Sequence, residues 1–552
     1  MKHPVLFLAL LASLGAAEPS LPKLEQVISE RFRGLPAPIV PTLPRGVKMA
    51  VTATGPDAQG HVLDGLTHLQ GGWDLEAYRH FCSALRLDPE CLMAHWGIVV
   101  ALIDPEPDLA DERDAALARM VDLVERGVGS ELERSYALGL ALFFHDGAAA
   151  AAKAFSKMSE KFPNDPQLRL MAAAFGRTGY EADGTARPDQ KKAEEWIEGL
   201  LASDPDHPLY LIALLTIRAE APHTSQDLER ARRLGELAPN YPPALHLLGH
   251  YESCGGHWTR AIAAFGQAAD AYGRWMGDMG MAHVDCPGWV KAECCRAAAL
   301  AAKGDYPIAF AVAGSIAEID VPAERAASAG GWLLMWEGRT LEARLRMRRS
   351  LSGDVGAALA SLPDPKAQQV YKDRSRAMWW YQGLAIVLEA RKALEEGDFD
   401  KARKISDALA LHGEAMSKSR ATAAAAGERS AWNRAFVALE ISACELRGLM
   451  AMAGPKEGLG SAFNWYRAAL DRQTPPSLLM PPALLLPMSV RLAEYHLARG
   501  EAELAIAVLN EAQARHPRDS ELLIRLQKAL AEAGRDAEAE KVAGEIERMK
   551  SE

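Results

Sequence analysis

A set of fixed steps recurs along the chain. Gly65, Gly72, Ala77, Phe81, Ala84 and Pro89 are separated by 7, 5, 4, 3 and 5 residues, and Ala493, Gly500, Ala505, Leu509, Ala512 and Pro517 repeat all five steps. Gly249, Gly256, Ala261, Phe265 and Ala268 repeat the first four. A small residue, a glycine, an alanine, a bulky apolar residue and a second alanine describe two short helices. They join at a glycine turn and cross closely at small side chains. Repetition of such a unit requires each copy to bury its apolar face on its neighbours.

Weaker copies keep the phase. Gly139, Asp146, Ala151, Phe155, Met158 and Pro163 keep every step, and Ala297, Gly304, Ala309 and Ala313 keep the first three. Gly331, Gly338, Ala343 and Met347 follow one repeat later; Ala390, Gly397 and Ala402 mark another copy, and Gln527, Gly534, Ala539 and Ala543 the last. These residues resemble the tetratricopeptide repeat (TPR) family over roughly residues 58 to 548. The resemblance implies an all-α fold, a right-handed superhelical solenoid of antiparallel helix pairs. No window of alternating β-branched residues predicts a strand.

Departures from the period divide the array. Ser350 to Ala367 holds Gly353, Gly356, Pro363 and Pro365, and Thr474 to Pro487 holds five prolines. The expected blocks are therefore 58–350, 351–473 and 474–552. A segment rich in Gly and Asp, Thr178 to Asp189, interrupts one repeat, and the alanine-rich stretch Ala421 to Gly427 is expected to be helical.

The first residues have the pattern of an export signal. Lys2 and the amine supply charge, Val5 to Leu14 is apolar, and Gly15-Ala16-Ala17 is a small-residue cleavage site. Residues 1–17 are expected to be removed, giving a periplasmic or secreted protein of a bacterium. The segment Leu85 to Gly97, with His246 to Ala261, also resembles exported bacterial TPR proteins. Residues 18–57 are rich in proline and read as a leader. It either packs on the first repeat or serves as a flexible linker, with one helix over Leu24 to Arg33.

Composition narrows the partners. The net charge is −11 and no long basic run occurs, so a surface tracking nucleic-acid phosphates is not expected. Alternating Arg344, Arg346, Arg348 and Arg349 read first as a solvated helix face. No later apolar run is long enough to span a membrane. The expected partner is a protein or peptide.

In TPR proteins the first helix of each pair lines a concave groove. On this resemblance, the groove-facing residues are Tyr136, Phe143 and Phe144 around Gly139, His246 and His250 around Gly249, and Trp332 and Trp336 around Gly331. Trp96 joins them from the second repeat. Aromatic residues suit an apolar peptide groove, although the same spacing also describes inter-repeat core. The paired Lys and Asn that clamp a terminal carboxylate are not seen, so a chaperone-tail clamp is disfavoured.

One constellation could carry chemistry. His246, His250, Cys254 and His257 follow at steps of 4, 4 and 3, which favours one helix face. Imidazole and thiolate suit zinc or copper, so metal or redox function is the alternative expectation. Otherwise no cofactor is expected. Gly458-Leu459-Gly460-Ser461-Ala462 lacks the closing glycine of a nucleophile elbow, the glycine doublets follow no strand, and no enzyme activity is expected. Seven cysteines do not make a disulfide framework. Most are expected to be buried, with a Cys82–Cys91 bridge as an open alternative.

Overall fold

The computed structural model describes residues 21–103, 109–181, 183–221, 225–371, 374–419, 426–454, 459–473 and 480–552. The expected export signal, and most of the alanine-rich stretch and the proline break near 474–479, lie outside them. Among the described residues no named strand occurs. A lone antiparallel bridge, Tyr180 to Ala186, closes the insertion, and no helix is long and apolar enough to cross a membrane.

Helices follow one another in pairs. The first block runs α1 (Pro56–Gln70), α2 (Asp74–Leu87), α3 (Leu92–Ala101), α4 (Ala110–Glu125), α5 (Glu131–Asp146), α6 (Ala148–Lys161), α7 (Gln167–Gly176), α8 (Pro188–Ser203), α9 (Pro208–Ile217), α10 (Ser225–Leu237), α11 (Pro242–Cys254) and α12 (Trp258–Met279). The chain continues as α13 (Pro287–Lys303), α14 (Tyr306–Ala317), α15 (Ala329–Trp336), α16 (Leu341–Arg349), α17 (Asp354–Ser361), α18 (Met378–Glu395), α19 (Phe399–Ser419), α20 (Ala426–Ala453), α21 (Leu459–Arg472), α22 (Met488–Ala498), α23 (Ala502–Gln513), α24 (Ser520–Glu532) and α25 (Asp536–Ser551). The chain is an all-α array of antiparallel helix pairs. Between Leu24 and Arg33, in place of one helix, stand a single α-turn at Leu24–Val27 and a 3-10 turn at Glu30–Phe32.

The repeated spacing marks helix crossings. A Cβ on Gly65 would sit 2.7 Å from the Phe81 ring, one on Gly139 2.5 Å from Phe155, and one on Gly249 2.6 Å from Phe265. Each ring fills the space left by its missing methyl, which brings the two helices of the pair together. Ala77, Ala261 and Ala505 are fully buried. Positive φ at Gly72 (78°), Gly256 (69°) and Gly500 (75°) reverses the chain between the helices.

Two compact units result. One comprises residues 1–248 with 277–280, the other 249–276 with 281–552. In the first unit, the first helices of successive pairs pack on one another: α1 on α3, α3 on α5, α7 on α9, and α9 back on α1. Hence α3 and α9 have no polar face. Every residue of α3 except Val100 is buried, as expected of a helix that is apolar all round.

The second unit is tied by buried ion pairs. Arg344 pairs with Glu337 at 3.0 Å, and Arg348 with Asp519 at 2.8 Å. Glu445 receives both Arg391 at 2.5 Å and Arg491 at 2.8 Å. The expected solvated arginine face is thus half wrong. Arg346 and Arg349 pair with Glu342 and Asp354 near the surface, but Arg344 and Arg348 are buried, where Glu337 and Asp519 meet them and α16 packs on α14 and α17.

Candidate peptide-binding site

The segment of residues 22–54, extended apart from the turns at Leu24–Val27 and Glu30–Phe32, lies against the helices of the first unit. Its proline content removes backbone donors and keeps it extended. Side chains of the helices therefore take its remaining main-chain atoms. Pro22 C=O accepts from Arg119 at 2.7 Å, and Tyr78 Oη accepts from Ser29 N–H at 3.0 Å and donates to Val27 C=O at 3.1 Å. Arg79 donates to Pro36 C=O at 2.6 Å.

The most concentrated contact is at Ile39. Its N–H donates to Glu76 at 3.0 Å. Its carbonyl lies 2.9 Å from His68 Nε2 and 2.8 Å from His80 Nε2. A carbonyl only accepts, so both Nε2 atoms carry a proton. Tyr241 Oη lies 3.3 Å from His68 Nδ1, and His61 Nδ1 lies 3.1 Å from His80 Nδ1. Arg79 is ion-paired with Glu76, both fully enclosed. Burial, opposed in part by the bond to Ile39, pulls the His68 pKa down to about 3 and that of His80 to about 4.

Beyond Ile39 the segment is fastened to widely separated elements. Thr42 Oγ1 reaches Asn240 C=O at 3.5 Å, Arg45 pairs with Asp204 at 2.6 Å, and Val47 N–H donates to Thr67 Oγ1 at 2.9 Å. Glu133, buried at the start of α5, accepts from Thr52 N–H and Oγ1, both at 2.7 Å, and caps Ser130 N–H at 2.6 Å. Thr54 N–H donates to Asp88 at 2.8 Å. The leader is thus packed against the first repeat and four later ones. Glu76, Arg79 and His80, polar residues at the buried phase of α2 beside Ala77 and Phe81, carry a sequence signal for this docking that the repeat spacing alone does not draw out.

Half of the expected groove aromatics are core. Trp96, Tyr136 and Trp336 are each 1% exposed and offer no surface to a partner. Trp96 Nε1 donates to Tyr136 C=O at 3.0 Å, and Tyr136 Oη to Asp165 at 2.9 Å. The reason is the packing of first helices on one another, which covers the face that an open groove would expose. Trp336 stacks edge-on to Trp432 at 6.1 Å. Phe143, Phe144 and Trp332 are half-buried. Phe143 contacts Phe175 at 5.0 Å between ring centroids, and Arg113 lies over Phe144.

The histidine–cysteine set does not converge. His246 and His250 are buried. His250 Nε2 lies 3.7 Å from Cys254 Sγ, while His257 turns to Glu252 at 3.0 Å beyond the glycine turn. Among the described residues, only His68, Glu76 and His80 gather three ligand atoms within 4.8 Å, and there both Nε2 protons are committed to Ile39. All seven cysteines are free thiols, so Cys82 and Cys91 are not bridged. Cys91 Sγ points at Thr52 C=O, 3.8 Å away.

Comparison with known proteins adds little. No protein-family model matches the chain, and no curated protein does. Among solved structures, the chain is similar to a human IFIT1 dimer with PPP-AAAA (12% identity, TM-score 0.33, covering 90% of this chain and 92% of that one). It is similar to yeast Tom70 (13%, TM-score 0.25, 88% and 90%). It is also similar to the P58(IPK) TPR domain (13%, TM-score 0.21, 74% and 99%). At these TM-scores none of the likenesses carries a functional inference.

Proposed function

We propose that this chain is a non-enzymatic helical-repeat scaffold that holds an extended polypeptide segment by its main chain. One observation carries the reading: residues 36–54 are gripped through carbonyl and amide groups by Arg79, Glu76, His68, His80, Thr67, Glu133 and Asp88. Main-chain hydrogen bonding is one of the recurring ways proteins bind extended peptides. The partner class is protein or peptide, and the acidic net charge of −11 argues against nucleic acid. Export to a periplasm or medium is part of the proposal and rests on the pattern of residues 1–17. Metal chemistry at His246, His250, Cys254 and His257 is not part of it.

The test is to insert a protease site between Thr54 and Pro56, cut the folded chain, and add labelled peptide of residues 34–54. The reading expects the cut segment to stay bound and to exchange slowly for the labelled peptide. Loss of the cut segment with no uptake of label, at unchanged helical circular dichroism, would refute it.

A further inference from the structure

The cluster around Ile39 has a feature that peptide holding does not require. Two imidazoles, His68 and His80, hold one anchor, where amides would serve equally well as donors, and a third, His61, contacts His80. His68 and His80 stack with ring centroids 5.4 Å apart, and His61 and His80 lie 5.3 Å apart. The 3.1 Å contact between His61 Nδ1 and His80 Nδ1 exists only while one of the two nitrogens lacks a proton. Among the described residues, the ionisable groups around the cluster come from three elements. Helix α1 contributes His61, Asp64 and His68, helix α2 contributes Asp74, Glu76, Arg79 and His80, and Tyr241 closes the far side. Arg79 and Glu76 neutralise each other; of the other carboxylates, Asp64 acts on His61 and Asp74 is exposed at the start of α2.

We infer that the His61–His68–His80 cluster is an acid-sensitive latch that releases the 36–47 segment from the first unit below neutral pH. A proton on His80 Nδ1 opposes the His61 N–H and places an imidazolium beside His68 and Arg79. The ring must then rotate, and its Nε2–H leaves the Ile39 carbonyl. Once the segment lifts, His68 and His80 reach water and bind protons at their ordinary pKa of 6.5, against about 3 and about 4 when docked. The sign follows from those two values. The docked state holds fewer protons, so its advantage is complete above 6.5 and drains away as pH falls toward 4. At pH 5 each imidazole weakens docking by roughly 30-fold. The latch concerns the chain's own segment and stands whether or not another peptide binds there.

Amide hydrogen exchange of the full chain, corrected for intrinsic rates, tests this at pH 7.5 and pH 5.0. Peptides covering 36–47 are expected to lose protection more than tenfold at pH 5.0, while peptides from α22–α24 keep theirs. In His80→Gln, whose side-chain amide can still donate to Ile39 but does not titrate, the loss is expected to shrink at least tenfold. Equal protection of wild type at both pH values overturns the latch. So does an undiminished loss in His80→Gln or in the independent variant His68→Gln.

Discussion

Arg348 and Asp519, 171 positions apart in the sequence, form a two-pronged ion pair at 2.9 and 2.8 Å with both side chains buried. Asp519 also caps α24 by accepting from Glu521 N–H and Leu522 N–H, and Arg348 donates its other arm to Leu485 C=O at 2.6 Å. One carboxylate thus fixes the start of a helix and neutralises a guanidinium from a distant repeat. Removing it strands a buried cation. Asp519→Ala is expected to cost about 3–5 kcal/mol, with the lost cap adding about 1 kcal/mol. Arg348→Met with Asp519→Leu is expected to cost less than either single change, measured by urea unfolding.

Glu445 gives the second unit an acid limit. Two arginines hold its carboxyl down at about 2, against burial, from an ordinary 4.5. A depressed carboxylate contributes its stability above the ordinary value and loses it as pH falls toward the folded one. That lowering corresponds to about 3 kcal/mol. Urea midpoints between pH 6 and pH 2.5 are expected to fall in wild type. In Glu445→Gln the midpoint starts lower and this component of the slope is absent.

Gly65 tests the crossing. An added Cβ falls within 3 Å of the buried Phe81 ring. Gly65→Ala is expected to destabilise by about 1–3 kcal/mol, and by less in a Phe81→Leu background. A double-mutant cycle with no coupling would remove the crossing from its role.

The tryptophans separate core from surface. Trp336→Ala opens a cavity at a residue 1% exposed and is expected to cost about 3–5 kcal/mol. Trp332→Ala, at a half-buried ring, is expected to cost roughly 1–2 kcal/mol. Thermal unfolding of the two variants checks the order.

Burial raises the thiols of Cys82, Cys91 and Cys295 to about 12, so thiolate is scarce at neutral pH. A disulfide exchange reagent is expected to react slowly with the native protein and with all seven cysteines after unfolding.

Helix pairs, glycine turns and ring-on-glycine crossings were legible because each is set within one repeat. Gly65 and Phe81 are 16 positions apart, close enough for one spacing rule to join them. What the spacing could not separate was groove from core. Trp96 and Tyr136 occupy the positions a groove would use, but α3 and α5 pack on each other, and that depends on how later repeats stack. The path of the leader was hidden for the same reason. Ile39 meets His68, His80 and Glu76 through contacts between residues with no shared period. Likewise the alternation of Arg344 and Arg348 resembles a solvated face until Glu337 and Asp519 are brought opposite.

The central claim is that the first unit holds its own leader by main-chain bonds. Amide exchange of Ile39 and Val47 at pH 7.5 measures it most directly. Their donors are bonded to Glu76 and Thr67, so protection comparable to that of α1 is expected. Exchange at the rate of an unstructured chain would contradict the account.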